Sequence, residues 1–304
     1  MTTEKQQSSP QKSKSGTPMP SKQQPPAKWK AVQTTLADVE NTLGLIPDFV
    51  NFMPEQSIPG AWKAVKSVYF NPHTALEPKF KSLIGLGVAG QIPCEMLNYF
   101  ESNACLAMGA TEQERSEAVV LSAITRHWST ILNGSQLDRE TFKKETDQIM
   151  AQARKMMEFA KGKMPPEENF QVDFTTAAEA YKDIEKTLGT VPKLFLLFPE
   201  EGIAGAWSEF KGMQLNPYTS LQGKHKVLIS LAVAAQIPCE YCVYFHRAGA
   251  KLNGATDREM QEAVAIAATA RHWSTIFHGS LTTPDSFRAD ADKMIAHLGN
   301  QMRM

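Results

Sequence analysis

At 304 residues the chain has room for two domains of ordinary size. Its 32 Lys+Arg balance its 32 Asp+Glu, so no basic field gathers phosphates, which argues against a nucleic-acid partner. No apolar run is long enough to cross a bilayer, and four cysteines are too few for a disulfide framework.

Residues 1–30 contain Pro10, Pro18, Pro20, Pro25 and Pro26 and almost no large apolar side chains. Such a segment cannot bury enough surface to offset its ordering entropy, so a disordered tail is expected. It lacks the apolar core of a secretory signal, and a cytoplasmic location is expected.

From Leu36 to Gly134 the sequence overlays Tyr181 to Gly279 at a constant shift of 145 without a gap, with 46 identities in 99 positions. The repeat is too long for a solenoid unit and occurs only twice. An internal duplication follows, each copy a domain or half of a pseudo-dimer. The first domain is set at residues 31–164 and the second at 165–304, with the break at Pro165-Pro166.

Each copy reads as helices. Trp62, Val65 and Phe70 give one buried side after Pro59-Gly60, and Pro78 to Gly90 is apolar enough to be central, like Lys224 to Ala235 in the second copy. A further helix starts beside Pro93 or Pro238 and ends at Gly109 or Gly254. Thr111–Glu114 and Thr256–Glu259 are capping boxes that open long helices closing near Gly134 and Gly279. The run from Asp138 to about Lys163 is helical, with Met150, Met156 and Met157 as adaptable packing, and a similar helix spans about Pro284 to Leu298. No segment alternates as a strand would, so the fold class is all-α.

The chemistry concentrates at Cys239-Glu240-Tyr241-Cys242-Val243-Tyr244-Phe245-His246. On a helix starting near Cys239, positions 239, 242 and 246 share one face. The positive end of that helix favours a thiolate at Cys239, Cys242 can reach it, and His246 lies one turn on as a base. These are the parts needed to attack a peroxide or a disulfide and close the cycle. Zinc would need a fourth ligand that is not evident, so neither metal nor cofactor is expected. Buried cysteines acting only as hydrophobes remain an alternative.

In the first copy Leu97 replaces the second cysteine and Glu101 the histidine. Cys94 and Cys105 are about 16 Å apart along a helix, beyond disulfide reach. That copy reads as structural, with Glu101 as a surface or interfacial residue and a part in a shared site the competing reading. The block Arg126-His127-Trp128 recurs unchanged as Arg271-His272-Trp273. Packing explains it best, with His272 as an acid or base in a pocket wall the competing reading.

The C-x-x-C-x-x-x-H stretch, the preceding Leu228–Ala234 run, the following Gly254-Ala255-Thr256 and the entries at Ile46–Phe49 and Val191–Leu194 resemble the alkylhydroperoxidase D-like, carboxymuconolactone decarboxylase superfamily. The resemblance covers both copies. It implies an all-helical fold, a homo-oligomer (trimer or hexamer), and, in the redox branch, an antioxidant peroxidase fed by a lipoyl-type or other dithiol donor. By that likeness Cys242 attacks the peroxide, Cys239 resolves and His246 relays protons. The family's relay glutamate, twelve residues before the first cysteine, is here Val227, and Tyr241 stands where a second histidine is common. Glu240, His225 or a residue of the other copy would have to substitute. The resemblance also leaves room for a decarboxylase using His246 or His272 without cysteine redox, and the missing glutamate for a non-catalytic oligomeric binding protein.

Overall fold

The computed structural model describes residues 27–160, 162–163 and 166–301. Up to position 26 the expected tail lies outside the described residues. Its assigned end at residue 30 is too late, because the first helix already begins at Ala27.

The first copy contains α1 (Ala27–Leu43), α2 (Ile58–Val68), α3 (Pro78–Gln91), α4 (Glu95–Ala107), α5 (Glu112–Ser135) and α6 (Arg139–Ala160). The second contains α7 (Ala177–Leu188), a single turn α8 (Lys193–Leu196), α9 (Glu200–Phe210), α10 (Gly223–Gln236), α11 (Glu240–Leu252), α12 (Asp257–Gly279) and α13 (Pro284–Gln301). No strand occurs among the described residues. The fold is all-α.

Local chemistry sets the helix ends. Thr111 Oγ1 accepts the Glu114 N–H at 3.0 Å while Glu114 accepts the Thr111 N–H at 2.8 Å, and Thr256–Glu259 repeats the box. A third box, Thr176–Glu179, opens α7 and was not picked out from the sequence. Beyond α4 and α11 the chain turns through Gly109 at φ +90° and Gly254 at φ +76°, a conformation costly for any residue with a Cβ.

Helices α3 and α10 form the centre. Residues 81–89 and 226–234 are buried on every side, which explains why both read as near-continuous apolar runs. The two helices touch: a Cβ on Gly87 would come within 3.0 Å of Ile229 Cγ2. Two buried lysines staple each centre to the chain before it. Lys81 Nζ donates to the carbonyls of Val68 (2.8 Å) and Asn71 (2.6 Å), and Lys226 Nζ to those of Met213 (2.7 Å) and Asn216 (2.6 Å). Burial lowers both ammonium groups to a pKa of about 8.

Contacts between the copies recur with roles exchanged. Buried Glu117 of α5 accepts the N–H groups of Ser220 (2.9 Å) and Leu221 (2.8 Å), while Glu262 of α12 accepts those of Ala75 (3.0 Å) and Leu76 (2.9 Å). Helix α6 packs on α11, where Tyr244 donates to Asp147 at 2.9 Å. Helix α13 packs on α4, where Tyr99 donates to Asp292 at 2.7 Å. The break at residues 164/165 therefore parts α6 from α11, its main packing partner, in sequence only: its packing surface lies on the second copy. Of the apolar side chains on α6, Ile149 is buried, but Met156, Met157 and Phe159 are exposed at 49%, 50% and 90%. The packing expected of Met156 and Met157 is corrected accordingly; they lie at the end of α6, beyond its contact with the core.

Candidate active site

Helix α10 ends at Gln236, and Ile237-Pro238 turn the chain so that Cys239 becomes the N-cap of α11 in extended conformation. Its sulfur accepts the Cys242 N–H at 3.4 Å, as a capping oxygen would. The Cys242 thiol lies 2.9 Å from Cys239 Sγ, and both cysteines are free. Closing a disulfide asks the sulfurs to move together by about 0.9 Å.

The first copy supplies the rest of the sulfur's surroundings. Asn133 Nδ2, on α5, donates to Cys239 Sγ at 3.3 Å, and the Ser129 hydroxyl of the same helix also stabilises the charged sulfur. The Cys242 thiol, the two α5 side chains and the helix-start N–H together hold Cys239 down at a pKa of about 6, against the opposing effect of burial. Cys242 is pushed up, first by its hydrogen bond to Cys239 and then by burial. The pair shares one proton, and it rests on Cys242.

Cys242 and His246 line an apolar cavity of about 50 Å³. Its walls come from both copies: Trp128 and Leu132 of α5 and Ile149 of α6 face Phe195 and Phe210 of the second copy. His246 is 5% exposed, its Nδ1 has no hydrogen-bond partner, and burial lowers it to a pKa of about 3. The ring is neutral at physiological pH.

Val227, at the family's glutamate position, is a buried apolar residue beside Gly249. The carboxylate in the cavity is instead Glu145 of α6, whose Oε2 accepts the Lys193 N–H at 3.0 Å; buried Thr146 lines the cavity next to it. Neither was found from the sequence, because α6 lies outside the repeated block and no spacing links it to Cys242.

The supporting residues take other positions. Glu240 is exposed and pairs with Arg139 at 2.6 Å. Tyr241 donates to the Leu137 carbonyl at 2.6 Å and meets Phe142 edge-on, tying α11 to the first copy. His225 stacks on Phe80 with ring centres 3.4 Å apart, and burial lowers it to about 4. His272 is exposed, and neither cavity includes it. Its neighbour Trp273 lines the first copy's cavity as Trp128 lines the second's, so the repeated block furnishes walls. Among the described residues no group of three or more His, Cys, Asp and Glu side chains is arranged to hold a metal ion.

Residues 202–281 match the model of the carboxymuconolactone decarboxylase family. The match spans α10, α11 and α12 and contains Cys239, Cys242 and His246. That segment is thus similar to a family whose wider superfamily includes both peroxide-reducing and decarboxylase members. No curated protein and no solved structure matches the chain. No helix among the described residues is long and apolar enough to cross a membrane.

Proposed function

We propose that the protein is a thiol-dependent oxidoreductase that reduces a small apolar peroxide at Cys239 and Cys242. The observation that carries the reading is the free pair of sulfurs 2.9 Å apart, one of them in a dry cavity beside a neutral, unpartnered histidine. The Cys239 thiolate, 2.9 Å away, takes the Cys242 proton as the Cys242 sulfur attacks the terminal peroxide oxygen. The O–O bond breaks, the Cys242 sulfur keeps the hydroxyl as a sulfenic acid, and the proton passes on from Cys239, with His246 as relay, to the departing alkoxide, leaving Cys239 a thiolate again. The Cys239 thiolate then attacks the oxidised sulfur. A disulfide forms, and the expelled hydroxide takes a proton from solvent to leave as water.

A dithiol donor of the lipoyl type restores both thiols by exchange, and Glu145 with Thr146 supplies the polar end of the proton path. The expected setting is a cytoplasmic homo-oligomer. The test is thiol titration before and after mild peroxide, with mass mapping of the linkage. Two thiols should disappear as a Cys239–Cys242 disulfide, and turnover should vanish in Cys242→Ser. A pair that stays reduced in excess peroxide refutes the proposal. Turnover of a lactone or β-keto acid that survives serine at both positions would place the chemistry on His246 instead.

A further inference from the structure

The degenerate copy retains a cavity at the equivalent place, and its polar residues have changed as a set. At the shift of 145, Tyr69 replaces Gln214, Ser82 replaces Val227, Gly85 replaces Ser230, Leu97 replaces Cys242 and Glu101 replaces His246. The changes fit one another. Tyr69 Oη donates to Glu101, and the Tyr69 and Ser82 hydroxyls lie 2.9 Å apart. The Glu101 carboxyl fills the space above Gly85: a Cβ there would sit 2.5 Å from Glu101 Oε1. In the second copy Ser230 occupies that space and meets Gln214 at 3.2 Å. Glu101 is thus neither at the surface nor at an exposed interface, as its sequence position suggested; it is 3% exposed.

Tyr69 and Glu101, with Ser82 behind them, line a cavity of about 90 Å³ whose other walls are almost wholly apolar. Rings dominate them, with Trp62, Phe70 and Phe100 from the first copy facing Trp273, Phe277 and Phe287 from the second. An apolar protein cavity of about 150 Å³ stays dry and binds benzene, and this one is smaller, so a single ring is the upper limit of what it holds. Aromatic walls favour an aromatic guest through edge-to-face contacts. Burial raises Glu101 to a pKa of about 8, so near neutrality the carboxyl is mostly uncharged and exchanges hydrogen bonds with a neutral head. An anionic head would meet the developing carboxylate and go unpaired.

We propose that the first copy holds a second binding site, separate from the cysteine pair, for a small uncharged aromatic molecule with one hydroxyl. Its ring lies between Trp62 and Trp273, and its hydroxyl meets Glu101 and Tyr69. The site needs no redox chemistry and stands whether or not the cysteines turn over peroxide.

The test uses the full chain with phenol, toluene and benzoate as probes, binding being read by ligand-observed NMR and calorimetry. Phenol should bind at one site at least tenfold more tightly than toluene, with benzoate excluded. Glu101→Leu should bring phenol to the level of toluene, keep toluene binding, and leave peroxide-driven disulfide formation unchanged. If thermal melting shows that variant unfolded, Tyr69→Phe is read the same way, with an expected loss of about threefold or more for phenol. No phenol binding at millimolar concentration, equal binding of phenol and toluene, or phenol binding indifferent to the folded variant overturns the proposal.

Discussion

Replacing Asn133 by Ala tests whether a residue of the first copy tunes a sulfur of the second. The side chain donates to Cys239 Sγ at 3.3 Å and also to the Ser129 carbonyl of its own helix at 2.7 Å, so its removal takes one bond from the sulfur without moving the helix. A hydrogen bond to a charged group contributes about 1.5–3 kcal/mol, and a long bond to sulfur belongs at or just below the low end. One pKa unit corresponds to about 1.4 kcal/mol. Cys239 should therefore rise from about 6 by about one unit. At pH 6.5 the thiolate fraction then falls from about three quarters to about one quarter, and any step using that thiolate slows about threefold. Thiolate ultraviolet absorbance followed against pH reads this directly. Cys94, Cys105 and Cys242 are all shifted upward by their surroundings, leaving Cys239 as the one cysteine placed to ionise between pH 5 and 8. A wild-type chain with no thiolate step in that window, or a step that Asn133→Ala leaves in place, refutes the reasoning.

Glu101 gives a pH effect of the opposite kind from a paired carboxylate. Its folded pKa of about 8 lies above its ordinary value of 4.5, so the folded state binds more protons, and stability falls as pH rises from about 4.5 to about 8. The shift of about 3.5 units sets an order-of-magnitude limit of about 5 kcal/mol, and urea melts of wild type minus Glu101→Gln should show a difference with that slope. A flat difference rejects the buried carboxyl. Gly85→Ala should destabilise by about 1–3 kcal/mol because its Cβ meets Glu101. In a double-mutant cycle, Gly85→Ser combined with Glu101→His should cost less than the sum of the single changes, since the second copy already holds that pair. Glu117→Ala removes the acceptor of two N–H groups across the copies and should cost about 2–4 kcal/mol. Calorimetry should record it as a shift of one cooperative transition; two separate transitions would show that the copies melt independently.

The helices and their ends were legible because each signal is local. Pro78, the Thr–x–x–Glu boxes and Gly109 or Gly254 act within a turn of themselves, and the apolar runs of α3 and α10 announce a centre buried on all sides. The spacing of Cys239, Cys242 and His246 was legible for the same reason. Asn133 and Glu145 were not. They reach Cys239 and Cys242 from about a hundred residues upstream, and nothing in their own neighbourhood distinguishes them from ordinary polar positions. Glu101 was misread because its burial depends on what Gly85 lacks, and an absent side chain carries no pattern.

The exchange of α6 and α13 between the copies bears on how such a chain can diverge. In a symmetric pair of identical subunits, one codon change alters the floor of one pocket and the wall of the other at every site alike. Joined in a single polypeptide, the two floors and the two walls are written separately, so one cavity can exchange sulfur for a carboxyl while its neighbour keeps the thiols. The same exchange forbids discarding the copy without the C-x-x-C pair, because Trp128, Asn133 and Glu145 are part of the cysteine site. A gene encoding only residues 165–304 would carry both cysteines and lack half the walls of the cavity beside them.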